Sequence, residues 1–155
     1  MKKKHFRWLI ISSFLISIMS CVSFRVTSPL PSDTTATVNG FSLNSSGQIV
    51  IPVVFSESVD ISTVIANKTL ILKFSKNPNE TATLTWSPDN KTLTIVTVDK
   101  RDDLMSFHPD DGFSLTLLGI DNGNGVVKST SGTILDGDYN KKAGGNYVKG
   151  FTVIG

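Results

Sequence analysis

Hydrophobic and polar residues alternate in short runs from about Val38 onward. In TATLTWS (81–87), Ala82, Leu84 and Trp86 alternate with Thr and Ser, which is the pattern of a half-buried antiparallel strand. Five further runs are interpreted as strands: QIVIPVVFS (48–56), TLILKFS (69–75), KTLTIVTV (91–98), GFSLTLLGI (112–120) and YVKGFTVI (147–154). Strands that recur at this spacing predict an all-β fold in which two antiparallel sheets form a sandwich.

Turn signals between these runs refine the prediction. Pro52 has no N–H to donate to a neighbouring strand, so it predicts an edge strand or a break at that position. SPDNK (87–91) has the residues of a tight turn and predicts a hairpin between its flanking strands. Asp60 is placed to cap a short helical turn at 61–64, and residues 99–106 are a second candidate turn. We find no internal repeat and expect a single domain.

The first 20 residues have a different pattern, with a basic start and then an apolar run. Residues 1–7 carry four basic side chains and no acid, and residues 8–19 are apolar apart from serines. This run is shorter than the roughly 20 apolar residues that a membrane-spanning helix needs. Residues 1–20 are therefore predicted to be a signal peptide.

The only cysteine of the chain, Cys21, directly follows this segment. Ile18, Met19 and Ser20 precede it, and together these residues resemble a bacterial lipobox. The resemblance implies that Cys21 is acylated, becomes the first residue of the mature chain and anchors it to the membrane of the cell envelope. The alternative is an ordinary secretory signal with an incidental cysteine. In either case no disulfide can form within the chain.

Removal of the signal peptide changes the charge of the chain. Residues 1–20 contain four of the 15 Lys and Arg residues and none of the 13 Asp and Glu residues, so the net charge changes from +2 to −2. Because a nucleic-acid-binding protein usually presents a basic face, we expect no nucleic-acid partner. Residues 21–37, rich in Ser, Thr and Pro, are predicted to be a flexible tether, and residues 38–155 to be the sandwich domain.

Three segments carry a resemblance to a known family: VVFSESVDISTV (53–64), LTWSPDNKTLTI (84–95) and GFSLTLLGIDNGNG (112–125). They resemble the bacterial Ig-like domain first described in surface-layer proteins, over about residues 38–128. Phe113 stands where the family often has tyrosine. The resemblance implies an Ig-like sandwich that serves as a spacer or adhesive module in exposed proteins, and it does not by itself settle the function.

The sequence offers little for catalysis. His5 is lost with the signal peptide, which leaves His108 as the one histidine, and no nucleophile-elbow motif, zinc-ligand spacing or phosphate-binding glycine loop occurs. We therefore expect a protein that is not an enzyme. The alternative is an enzyme or enzyme-accessory domain that acts on polysaccharide through paired carboxylates, for which the candidates are Asp102, Asp103, Asp110 and Asp111.

LDGDYNKKAGGNY (135–147) contains a candidate calcium site. Asp136, Asp138 and Asn140 have the alternate spacing of oxygen ligands with which calcium loops begin, and Asp121 in a second polar loop is a further candidate ligand. The segment differs from an EF-hand loop because Lys141 occupies the glycine position. The alternative is a polar connection in which these side chains make Asx turns.

Together these features predict a cell-envelope lipoprotein with one non-catalytic Ig-like domain for binding, adhesion or spacing. A protein or glycan ligand is expected at the loops away from the tether, and no cofactor is required apart from the candidate calcium. A further alternative is a structural subunit that self-assembles through an edge strand.

Overall fold

The computed structural model describes residues 34–106, 108 and 111–152. The signal-peptide prediction and Cys21 lie outside these residues. The described part contains one short α-helix, α1 (Arg101–Leu104), one 3₁₀ turn (Ile61–Thr63) and eight β-strands. The strands are β1 (Ala36–Thr37), β2 (Ser42–Leu43), β3 (Gln48–Phe55), β4 (Leu70–Phe74), β5 (Ala82–Trp86), β6 (Thr92–Lys100), β7 (Gly112–Leu117) and β8 (Tyr147–Thr152).

The strands form two antiparallel sheets. One sheet has the order β1-β3-β6-β5, with β2 also paired to β3, and the other has the order β4-β7-β8. If the strands are lettered along the chain with β1 as A and β3 as B, these orders are A-B-E-D and C-F-G, as in constant-type immunoglobulin domains. The prediction of an all-β, Ig-like antiparallel two-sheet sandwich is confirmed.

Alternating aliphatic side chains from both sheets form the core. Ile51 and Ile95 come from β3 and β6 of one sheet, Leu72 and Leu115 come from β4 and β7 of the other, and none is more than 1% exposed. Each strand turns every second side chain inward, which is why the period-two pattern located the strands. In antibody domains a disulfide joins strands B and F across this core. Here packed hydrophobic side chains, among them Phe55 of β3 and Phe113 of β7, form the core between the sheets.

Pro52 lies in a strand that is not at an edge. β3 runs between β6 on one side and the two short strands β1 and β2 on the other. The N–H of Phe55 points to β6, where it donates to the carbonyl of Lys91 at 2.8 Å. Because direction alternates along a strand, the nitrogen of Pro52 points away from β6, into the gap between β1 and β2. The proline therefore removes no bond from the β3–β6 ladder.

The sandwich begins earlier than the sequence indicated. Thr34 and Ala36 are fully buried, and Ala36 pairs with Phe55 through β1. Tyr139 donates a hydrogen bond to the carbonyl of Ala36, and the Tyr147 hydroxyl accepts one from Val38 N–H at 3.1 Å. Burial raises the pKa of the Tyr147 hydroxyl. Residues 34–37 therefore belong to the domain and not to the tether, so the predicted boundary at 37 is corrected.

The predicted turns are confirmed. The Asp60 carboxylate caps the 3₁₀ turn by accepting from Ser62 N–H at 3.1 Å, and α1 lies within the predicted segment 99–106. β5 and β6 form the predicted hairpin, in which Asn90 has a positive φ of 55°. No helix among the described residues is long and apolar enough to cross a membrane.

Candidate functional site

The sandwich has two ends, which we name by the loops that they carry. The Thr34 end, where the described chain begins, carries the loops 56–69, 87–91 and 118–146, and the far end carries the connections after β2, β4 and β6. Hydrogen bonds join the loops of the Thr34 end, for example from Asp136 N–H to the carbonyl of Thr34 at 2.7 Å. All four candidate calcium ligands lie at this end. The sequence had placed the binding loops away from the tether.

A cavity of about 280 Å³ opens at the Thr34 end. It lies between the segment that contains the 3₁₀ turn and the loop that follows β7. Nine residues line it: Ser62, Thr63, Ile65, Thr69, Asp121, Asn124, Gly125, Val126 and Lys128. The lining residues include one acidic residue, one basic residue and no aromatic residue.

Two threonines fix one wall of this cavity. Thr69 Oγ1 donates to the carbonyl of Thr63 at 2.6 Å and accepts from Ile65 N–H at 2.8 Å. Thr63 Oγ1 donates to the carbonyl of Asp60 at 2.7 Å and accepts from Lys128 N–H at 3.0 Å. Because both hydroxyl protons are already used within the protein, these threonines build the wall and are not the groups that would hold a ligand.

Asp121 presents one carboxylate oxygen that the loop does not use. Its Oδ1 accepts from the N–H groups of Gly123 at 2.8 Å and Gly125 at 3.1 Å. Both glycines have positive φ, which lets the backbone curl around this oxygen. Oδ2 of Asp121 has no hydrogen-bond partner within the described part of the chain. The loop therefore holds the carboxylate in place and leaves one oxygen available.

Lys128 supplies the positive charge of the cavity. Its main chain is fixed by the bond to Thr63 and by Asp60 N–H, which donates to its carbonyl at 2.9 Å. Among the described residues the one ion pair joins Arg101 and Asp102 at the far end, so Lys128 and Asp121 line one cavity without pairing. Sequence reasoning missed Lys128, because the contact between its loop and the 3₁₀ turn spans 65 positions of the chain.

One exposed isoleucine lines the cavity, and two more are chain neighbours of lining residues. Ile65 lines it and is 42% exposed, while Ile61 at 47% and Ile120 at 56% are the chain neighbours of the lining residues Ser62 and Asp121. Single exposed apolar residues are ordinary, but apolar residues grouped around a polar recess are typical of binding surfaces. The periodicity of the sequence did not indicate this group, since each isoleucine lies in a loop.

The candidate calcium ligands Asp136, Asp138 and Asn140 lie together in one loop. Asp136 is 1% exposed, and its two oxygens accept from Asn140 N–H at 3.2 Å and Lys141 N–H at 2.9 Å. Asp138 accepts from the Asn140 side chain at 2.9 Å, and Asn140 in turn accepts from Lys142 N–H. The bond from Lys142 N–H to Asn140 is an Asx turn of the alternative interpretation, while the Asp136 bonds span four and five positions.

Asp121, the fourth candidate calcium ligand, lines the cavity and does not lie in the loop of the other three. The described residues contain no group of three or more His, Cys, Asp or Glu side chains arranged to hold a metal ion. The calcium site therefore stays a prediction from the sequence.

The two polar loops meet at Gly119, through hydrogen bonds to the Asn146 side chain and close backbone packing. Oδ1 of Asn146 accepts from the N–H groups of Gly119 and Ile120, each at 3.1 Å. Gly119 is packed so closely that an added Cβ would overlap the carbonyl oxygens of Gly145 and Leu135. This junction joins the loop that follows β7, which lines the cavity, to the 135–147 loop. Sequence reasoning identified both loops but not this contact.

The far end carries the residues that were weighed for catalysis. His108 is exposed, and its carbonyl accepts from Asp111 N–H at 2.9 Å. A hydrogen bond from the Ser75 hydroxyl lowers the pKa of the Asp111 carboxyl, and Ser106 N–H, at 2.5 Å, contributes in the same direction. Asp110 lies outside the described residues. Two further acids are exposed on α1: Asp102 and Asp103.

Comparison with known proteins identifies no relative: no protein-family model matches the chain, and no curated protein matches it. The resemblance to the surface-layer Ig-like domain therefore rests on the motif residues given above. The strand order supports the fold that this resemblance implies, and it leaves membership of the family as a proposal.

Proposed function

We propose that this chain is a cell-envelope lipoprotein, anchored to the membrane through acylated Cys21, whose single sandwich is a non-catalytic binding, adhesion or spacer module. The lipobox-like order Ile18, Met19, Ser20, Cys21 is the observation that carries the proposal. The Ig-like strand order supports the module, since such sandwiches present loops at their two ends for contact with other molecules.

The length of the tether sets how the domain meets the membrane. Twelve residues separate Cys21 from Thr34, at which the chain joins the sandwich. Twelve residues span at most roughly 40 Å when fully extended. The anchor would therefore hold the Thr34 end, and the cavity there, within reach of the lipid headgroups. A protein or glycan partner in the envelope would meet the far end, which the tether does not occupy.

Lipid labelling tests the anchor. Cells that express the chain are grown with radiolabelled palmitate, and the chain is isolated and compared with the variants Cys21→Ala and Ser23→Ala. We expect label in the wild type and in Ser23→Ala, and none in Cys21→Ala, because only the Cys21 thiol can be acylated in the lipoprotein pathway that the motif implies.

Two outcomes contradict the anchor. One is a wild-type chain without label, and the other is equal labelling of Cys21→Ala. Ser23→Ala is the matched control, since it changes one small residue of the same segment and leaves the thiol in place. Membrane attachment should follow the label, because two or three acyl chains hold a protein on a bilayer far more firmly than one.

A further inference from the structure

The lining of the cavity at the Thr34 end includes two exposed side chains of opposite charge, Asp121 and Lys128, that do not pair with each other. Oδ2 of Asp121 is without a hydrogen-bond partner in the described part of the chain, and the Lys128 ammonium forms no ion pair there. A ligand that carries both an ammonium group and an anion on a short linker can bond to both walls at once. Such charge-assisted hydrogen bonds are stronger than neutral ones.

The size of the cavity limits the ligand. Its volume of about 280 Å³ is at the lower limit of the roughly 300–1,000 Å³ that small-molecule sites usually enclose. An oligosaccharide or a folded peptide therefore does not fit inside. A sugar would also be expected to stack on an aromatic side chain, and none lines the cavity.

Three exposed isoleucines lie in the lining of the cavity or next to a lining residue in the sequence. Ile61, Ile65 and Ile120 are each more than 40% exposed. A small charged ligand that is free in water gains no binding energy from these isoleucines. A charged headgroup that is attached to glycerol and acyl chains does gain binding energy, because its apolar part can cover the isoleucines.

We propose that this cavity binds phosphoethanolamine as the headgroup of a membrane lipid, with the ligand ammonium on Asp121 and the phosphate on Lys128. The lipid source rests on the proposed function, since the anchor would keep the Thr34 end near the headgroups. A lysine binds phosphate as a point charge, and a primary ammonium can donate to a carboxylate.

Titration of the full chain with free O-phosphoethanolamine tests the site. The isotope-labelled chain in uncharged detergent is followed by amide resonances, and saturable shifts are expected at Gly123, Gly125 and Lys128. O-phosphocholine should bind on the order of tenfold more weakly, because its quaternary nitrogen cannot donate to Asp121. Equal binding of the two compounds, or no saturable shift, would overturn the proposal.

Two variants separate the two contacts. Asp121→Asn keeps the Oδ1 acceptor that shapes the loop and removes the charge, while Lys128→Met keeps the main-chain bonds and removes the ammonium. Each should weaken binding about tenfold or more. Asp99→Asn, which changes an exposed carboxylate of β6 outside the cavity lining, should bind as the wild type does. Unchanged affinity in both cavity variants would contradict the assignment.

Vesicles distinguish the lipid from the free compound. The same amides should shift on vesicles that contain phosphatidylethanolamine and remain unshifted on pure phosphatidylcholine vesicles. If only the free compound produces the shifts, the lipid source is wrong. Because the free titration does not require acylation, binding of the free compound by a chain that takes up no palmitate would refute the anchor and leave the cavity assignment intact.

Discussion

Replacement of Gly119 by alanine is expected to lower the free energy of unfolding by about 1–3 kcal/mol, measured by denaturant titration of the purified chain. The added methyl group would overlap the carbonyl oxygens of Gly145 and Leu135, and both belong to backbone that cannot rotate aside as a side chain does. The substitution should also disturb the two bonds from Asn146, which join the polar loops.

Gly150→Ala is the matched control for this prediction. Gly150 lies in β8 with nothing within 4 Å of its added Cβ and without a positive φ, so alanine should be neutral or slightly stabilising there. If Gly119→Ala and Gly150→Ala have the same stability, the close approach of the two loops is wrong.

Replacement of Glu80 by alanine is expected to cost about 3 kcal/mol of stability, again by denaturant unfolding. Glu80 is 3% exposed, and its Oε1 accepts from the N–H groups of Val98 and Asp99, each at 2.9 Å. Its Oε2 accepts from the Asn77 side chain at 2.8 Å. Alanine would leave Asp99 N–H and the Asn77 side chain without their acceptor at the end of β6, and Val98 N–H would keep only its bond to the carbonyl of Thr81 at 3.2 Å.

Two variants test whether hydrogen bonding is the cause. Glu80→Gln keeps the size and one acceptor, so it should cost less than alanine, although its NH₂ group would face the NH₂ group of Asn77. Glu57→Ala removes a half-buried glutamate with a single bond to Thr34 at 3.3 Å and should cost less than about 1 kcal/mol. Equal losses for Glu57→Ala and Glu80→Ala would contradict the role given to Glu80.

The long strands were predictable from the sequence because burial imposes a period of two on them. Ile51 and Leu115 alternate with more exposed residues, so each six- to nine-residue strand can be recognised in the sequence without knowledge of its partner strands. β1 and β2 have two residues each and no measurable period. They are strands because β3 pairs with them. This pairing is not visible in the sequence, so the predicted tether extends to residue 37.

The interpretation of Pro52 also depended on strand pairing, which the sequence does not show. A proline in a strand is compatible with an edge, a break or a gap between two partners, and the sequence does not state how many partners a strand has. The structure has the third arrangement, since β1 and β2 pair with β3 on either side of Pro52.

The polar loops were located by composition, but their chemistry was not. The spacing of Asp136, Asp138 and Asn140 is shared by calcium loops and by successive Asx turns, because both place an oxygen at alternate residues. No local sequence pattern predicts the cavity. It combines Asp121 with Lys128 and with the turn near Ile65, and only the packed sandwich brings these segments together.

The mass of the N-terminal peptide, determined on the chain isolated from membranes, tests the anchored lipoprotein most directly. The predicted result is a peptide that begins at Cys21, lacks residues 1–20 and carries a diacylglyceryl group on the thiol. A peptide that begins elsewhere, or that carries Cys21 as a free thiol, would contradict it.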